Sequence, residues 1–134
     1  KILICKIEKD VNTVNQCYKY LENLKYQDNI FSSYHYIVDE FGKILRITPE
    51  EEVTFAIGHH KFDNENISIG LSFIRYTKEI EKSLTDLINN ICKKYNLVSK
   101  TSVVIENDLI NTRNLSIYID NKYILNSILN QCTR

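Results

Sequence analysis

Glycine and proline are scarce in this sequence, which has three glycines and one proline among 134 residues. That scarcity excludes collagen-like, Pro-rich and linker-rich segments. Long hydrophobic runs are missing as well: stretches such as Ile2–Cys5 fall far short of the roughly 20 apolar residues of a membrane-spanning helix. No charged segment followed by an apolar one is visible at the N-terminus, so no signal peptide is recognised. We expect a protein without a membrane span that is cytoplasmic or released on lysis.

Neither sign of charge predominates, because 17 basic residues balance 17 acidic ones and the formal net charge is zero. With no overall field, we expect no nucleic-acid partner and no attraction to anionic lipid. The chain also lacks the glycine-rich phosphate-binding motifs and the Gly-x-Ser-x-Gly nucleophile motif. These absences leave neither a nucleotide-binding signature nor a serine-hydrolase signature.

Closely spaced cysteine pairs are absent too. The four cysteines, Cys5, Cys17, Cys92 and Cys132, lie far apart, with no C-x-x-C motif. A chain of this length can build an adequate hydrophobic core without covalent support. We therefore expect reduced thiols rather than a disulfide framework.

Apolar residues, by contrast, are abundant: 43% of the chain is hydrophobic and 10% is aromatic. This content excludes disorder, and the length fits one domain over residues 1–134. Strands are predicted over Lys1–Ile7, Tyr34–Val38, Ile44–Ile47, Val53–Ile57, Ile67–Ile74 and Ser102–Ile105. Helices are predicted from a cap at Asp10 to Lys25, from a cap at Thr77 to Tyr95, and over Asp120–Gln131. Because a hairpin around Asp39–Gly42 interrupts the alternation of strands and helices, the fold class is α/β with a mixed central sheet flanked by helices.

Several short motifs follow one another along the middle of the chain. They are Ser33-Tyr34-His35-Tyr36-Ile37-Val38-Asp39, Gly42-Lys43-Ile44, Pro49-Glu50, Ala56-Ile57-Gly58-His59-His60 and Asn66-Ile67-Ser68-Ile69-Gly70. In this order they resemble the zinc-dependent N-acetylmuramoyl-L-alanine amidases of phage endolysins and bacterial autolysins, whose fold peptidoglycan-recognition proteins share. The resemblance implies an amidase-like fold and peptidoglycan as the ligand. It also implies that Tyr34 is the catalytic or substrate-orienting tyrosine and that Tyr34, His60 and Asn66 line the substrate groove.

The zinc ligands of that family are two histidines and a cysteine or carboxylate. The resemblance places Cys5, Glu106 and Asn114 at the three ligand positions of this chain. All three residue types differ from the family pattern, so we expect a degenerate site, no zinc cofactor and no catalysis. Cys5, Glu106 and the nearby Asp108 could still form a substitute site, since thiolates and carboxylates bind zinc. The simpler interpretation, which we favour, is that Cys5 is a small buried apolar residue and that the two acids are solvated.

Two functions therefore remain open. The first is a binding module for a peptidoglycan fragment or a protein partner. A remnant domain with no ligand would look the same in sequence. The second is an active amidase that hydrolyses the lactyl–L-Ala amide of peptidoglycan through a remodelled zinc site.

Other polar residues have simpler interpretations. We expect His35 to be a core or groove histidine with satisfied hydrogen bonds rather than a metal ligand, although a Cys5–His35 nucleophile pair is an alternative. The aromatic residues Tyr34, Tyr36, Phe55 and Phe62 either line a ligand groove or pack against the sheet. The glutamates at positions 50–52 are expected to form a solvated face.

Overall fold

In the described part of the chain, five strands form one mixed sheet. The computed structural model describes residues 1–7, 9–28, 33–56, 66–105 and 121–134, with the backbone alone for 121–124. Its strands are β1 (Ile2–Lys6), β2 (Tyr36–Asp39), β3 (Ile44–Arg46), β4 (Ile67–Ser72) and β5 (Val103–Ile105). Their order across the sheet is β3-β2-β4-β1-β5. Only the β2–β3 pair is antiparallel, and the other three pairings are parallel. The predicted mixed α/β sheet is confirmed.

Helices cover both faces of this sheet. They are α1 (Val14–Tyr26), α2 (Lys78–Tyr95), the short α3 (Ser99–Ser102) and α4 (Asn121–Gln131). Ile2 and Ile4 pack into one buried cluster with α2 and α4, whereas Leu3 and Cys5 pack into a second cluster with α1. This division follows from the two-residue period of a strand, which turns successive side chains to opposite faces. Within the described residues, no helix is long and apolar enough to cross a membrane.

The helix caps are only partly as the sequence predicts. Thr77 caps α2 as expected, its Oγ1 accepting a hydrogen bond from Ile80 N at 3.2 Å. The prediction that Asp10 caps α1 is wrong, because Thr13 takes that position and accepts from Gln16 N at 3.2 Å. Residues 9–12 instead form turns, which lead the chain from β1 to the start of α1.

The β2–β3 hairpin turn depends on Gly42. Its φ of 81° lies in the left-handed region, where a side chain is strained. A Cβ at this position would also lie 2.9 Å from Glu79 O and from Ser83 Oγ, so the turn contacts α2 directly. Ser83 Oγ donates to Gly42 O across the same contact. The glycine therefore joins the hairpin to the helix on that face of the sheet.

The strand predicted over Val53–Ile57 is not formed at residues 53–56, and Ile57 lies outside the described residues. This segment is held by side-chain hydrogen bonds and by one backbone bond, from Ser33 N to Phe55 O at 3.4 Å, without a strand ladder. Thr54 Oγ1 lies 2.8 Å from Ser68 Oγ, and Phe55 N donates to Ser33 Oγ at 3.0 Å. The predicted reduced state is confirmed, since all four cysteines are thiols.

Candidate functional site

Two of the predicted site residues, Cys5 and Tyr34, meet around Gly70. Cys5 pairs with Gly70 across the β1–β4 ladder. A Cβ added to Gly70 would lie 3.0 Å from Tyr34 Cγ and 3.0 Å from Ile7 Cδ1, so the tyrosine ring covers the glycine backbone. A side chain at this position would require the ring or Ile7 to move by a few tenths of an ångström. Tyr34 is 5% exposed and Cys5 is fully buried.

The other two positions matched to zinc ligands, Glu106 and Asn114, lie outside the described residues, as does Asp108. Ile105, the residue before Glu106, pairs with Ile4, the residue before Cys5. Cys5 itself belongs to the apolar cluster that packs against α1. In the described part of the chain, no group of three or more His, Cys, Asp or Glu side chains is arranged to hold a metal ion.

His35 is fixed beneath the loop that follows β3. Its Nδ1 accepts a hydrogen bond from Ser68 N at 2.9 Å, and its Nε2 lies 2.7 Å from Glu52 O. Because Nδ1 is an acceptor, Nε2 carries the proton and donates it to the carbonyl. The ring is 1% exposed, and the prediction of a satisfied core histidine is confirmed. Both ring nitrogens are engaged, which leaves neither to serve as a base for Cys5.

The two remaining groove residues occupy different places. Asn66 is buried and directly precedes β4, whose first residue pairs with Ile2. Gly70 follows Asn66 by four positions along the strand, a distance of about 13 Å, so Asn66 lies toward the opposite end of the strands from Cys5. His60 and the neighbouring His59 lie outside the described residues, as does Phe62.

An exposed apolar loop lies beside Tyr34. Ser33, the residue before the tyrosine, holds the loop through the bond from Phe55 N to Ser33 Oγ. The Phe55 side chain is 51% exposed and the nearby Val53 is 44% exposed. Aromatic and aliphatic side chains in this position offer a contact surface next to the predicted groove. The aromatic pattern indicated Phe55, but no sequence signal distinguished Val53.

Glu50 is not part of a solvated face, contrary to the prediction for residues 50–52. Its side chain is 6% exposed and accepts hydrogen bonds from Tyr36 Oη at 2.5 Å, Lys94 Nζ at 2.6 Å and Tyr95 Oη at 2.7 Å. The loop after β3 is thereby fastened to the C-terminal turn of α2. Sequence reasoning missed this cluster because its members are far apart in the chain and carry no shared motif.

Glu50, Tyr36, Lys94 and Tyr95 form one hydrogen-bonded group, here called the Glu50 cluster. Within it the pKa of Glu50 is lowered and the pKa of Tyr36 is raised. Burial alone raises the pKa of Glu50, but the hydrogen bonds from Lys94, Tyr36 and Tyr95 outweigh it and lower the pKa to about 2. Burial and the hydrogen bond to Glu50 raise the pKa of Tyr36 to about 12. At neutral pH the carboxylate is thus charged and the phenol is neutral, as this donor–acceptor arrangement requires.

Comparison with known proteins decides the family. The family model described as N-acetylmuramoyl-L-alanine amidase matches residues 7–117. The chain belongs to this amidase family. It is therefore a peptidoglycan-related, amidase-type domain. No curated protein sequence matches the chain significantly.

Solved structures of amidase and peptidoglycan-recognition folds resemble this one closely. The catalytic domain of XlyA has a TM-score of 0.68 at 17% identity, with 95% of this chain and 84% of that one covered. The Staphylococcus aureus hydrolase AmiA in complex with its ligand has a TM-score of 0.66 at 14% identity, covering 97% and 71%. Drosophila peptidoglycan recognition protein SD has a TM-score of 0.64 at 15% identity, covering 81% and 69%. At these identities the likeness establishes the amidase fold.

Proposed function

We propose that this member of the amidase family binds peptidoglycan fragments without zinc and without hydrolysing them. A domain of the endolysin type would meet peptidoglycan when the protein is released at cell lysis. The buried Cys5 is the observation that carries the proposal. The ligand set expected of the family, two imidazoles and a thiolate or carboxylate, suits zinc in a site with one open position. A thiol, a carboxylate and an amide at the matched positions suit it poorly, because a neutral amide oxygen is a weak ligand for this ion.

The surroundings of Cys5 support the same conclusion. Its side chain is fully buried in an apolar cluster that includes Leu3 and Ile7, and the Tyr34 ring lies over the adjoining Gly70. This packing favours a small core thiol over a metal ligand.

We expect the purified protein to contain far less than one zinc per chain. The test is elemental analysis after dialysis against zinc-containing buffer and then against metal-free buffer. Cys17→Ala is the matched control, because Cys17 is another fully buried cysteine of the same cluster. A content of one zinc per chain that is lost in Cys5→Ala and kept in Cys17→Ala would establish the alternative, an amidase with a remodelled metal site.

The binding surface is tested separately at the loop beside Tyr34. We expect Phe55→Ala to weaken the affinity for a muramyl dipeptide about tenfold, the cost of truncating one aromatic contact. Because Phe55 is exposed, the free energy of unfolding should change little. Amide chemical-shift titration of the parent and the variant measures both the affinity and the position of the contact.

Phe41→Ala is the matched control for this experiment. Phe41 is 63% exposed but lies in the β2–β3 turn, at the opposite end of β2 from Ser33. The Phe41→Ala variant should bind the muramyl dipeptide with the affinity of the parent. Equal losses of affinity in both variants, or chemical-shift changes confined to α2, would contradict a groove at this loop and favour a protein partner. The absence of any shift at millimolar ligand would favour a remnant domain.

A further inference from the structure

The last residues described, 132–134, contact the C-terminal part of α2. Thr133 N donates to Asn89 Oδ1 at 3.0 Å, and Arg134 Nη2 donates to Asn96 Oδ1 at 2.8 Å. Asn89 lies in α2, and Asn96 is the residue that caps its C-terminus. Cys92 lies between these two residues in the chain.

Cys132 is held against the same part of α2. It follows the last turn of α4, where its N–H donates to Ile128 O at 3.1 Å. Its side chain packs against the buried cluster that contains Cys92. Ser99 fixes the next residues, since both its N and its Oγ donate to Arg134 O, at 2.9 and 2.7 Å. Cys92 and Cys132 therefore lie in one cluster on the same face of the sheet, in segments that hydrogen bonds hold together.

We propose that Cys92 and Cys132 form a redox pair that closes into an intramolecular disulfide on exposure to a disulfide oxidant such as oxidised glutathione. The bond would fasten α4 to α2 and enclose β5 and residues 106–120 within a covalent loop. Cys5 and Cys17 cannot substitute, because both lie in the cluster on the other face of the sheet.

The disulfide forms in two thiol–disulfide exchange steps, and the exposure of each cysteine determines which reacts first. Cys132 is half-buried and Cys92 is fully buried, so the Cys132 thiolate attacks glutathione disulfide first. One glutathione leaves as the thiol, and a mixed disulfide forms on Cys132. The Cys92 thiolate then attacks the Cys132 sulfur and displaces the second glutathione. The protein loses two protons and two electrons, and glutathione disulfide is reduced to two thiols.

The experiment treats the reduced, folded chain with oxidised glutathione in mildly alkaline buffer. That condition is chosen because burial raises the pKa of both thiols. We expect an intact mass lower by two hydrogens, and an unreduced digest in which the Cys92 peptide is joined to the Cys132 peptide. The loop closed by the bond should raise the Tm by about 5–10 °C, an increase that dithiothreitol reverses.

Variants make the assignment specific. Cys132→Ser should abolish both the mass change and the gain in Tm, and Cys17→Ser should leave both intact. Cys132 is half-buried, so its serine variant is expected to fold. Three results would overturn the proposal: glutathione remaining on Cys132, a disulfide-linked dimer, or a Cys92–Cys132 bond that forms only in denaturant. None of these outcomes depends on peptidoglycan binding.

Discussion

Replacing Asp39 with alanine is expected to lower the free energy of unfolding by about 3–4 kcal/mol, because several hydrogen bonds to one buried charged group are lost together. The carboxylate is 2% exposed. Its Oδ2 accepts from Val14 N at 3.0 Å, and its Oδ1 accepts from Phe41 N at 3.0 Å and Lys43 N at 2.9 Å. Val14 is the first residue of α1, where an N–H has no partner within the helix. The negative charge is also favoured at the positive end of the helix dipole.

Asp10→Ala is the matched control for Asp39→Ala. Asp10 is the exposed aspartate that the sequence indicates as the cap of α1, and its removal should change stability by less than about 0.5 kcal/mol. Urea unfolding followed by circular dichroism measures both variants. Should Asp39→Ala fail to fold, Asp39→Asn keeps one acceptor oxygen and is expected to lose an intermediate amount. Equal, small losses at positions 10 and 39 would show that the carboxylate does not join the hairpin to α1.

Acidic pH should remove a second, comparable contribution to the free energy of unfolding, which comes from the ionised side chain of Glu50. Its pKa is about 2 in the folded protein against 4.5 for an unperturbed glutamate, so the ionised form is favoured by folding. The stability that follows is complete above the unfolded pKa and is lost as the pH falls from about 4.5 through 2. A shift of this size corresponds to about 2–3 kcal/mol when allowance is made for the exposed Lys94 partner.

Glu50→Gln tests this directly. The variant should lose about 2–3 kcal/mol at neutral pH and should show a shallower fall in stability between pH 4.5 and 2 than the parent. Glu51→Gln is the control, because Glu51 is the exposed neighbour in the same run of glutamates. Stability is measured by urea unfolding at a series of pH values. Parallel pH profiles for the parent and Glu50→Gln would contradict the proposed role of the cluster.

Local patterns were sufficient to predict most of the secondary structure. The Thr77 cap and the apolar stripe that follows it predicted α2 correctly. The two strand-like segments on either side of the Asp39–Gly42 turn predicted the β2–β3 hairpin. The prediction failed where a residue's role is decided by a distant partner. Val53–Ile57 has strand-forming residues, yet residues 53–56 form isolated hydrogen bonds with Ser33 and Ser68 instead of a strand ladder.

Ordered motifs and apolar periodicity predicted the family and the fold class correctly, because both are local properties that can be recognised without coordinates. The sequence also shows which residue types stand at the positions matched to zinc ligands. The burial of Cys5 was among the predictions, and it is confirmed. The enclosure of Glu50 by two tyrosines and a lysine, and the packing of Cys132 against the cluster that contains Cys92, become visible only in the folded chain. Both have the same cause. Burial and hydrogen bonding depend on which segments the sheet and helices bring together, and residues distant in sequence carry no local signal of that contact.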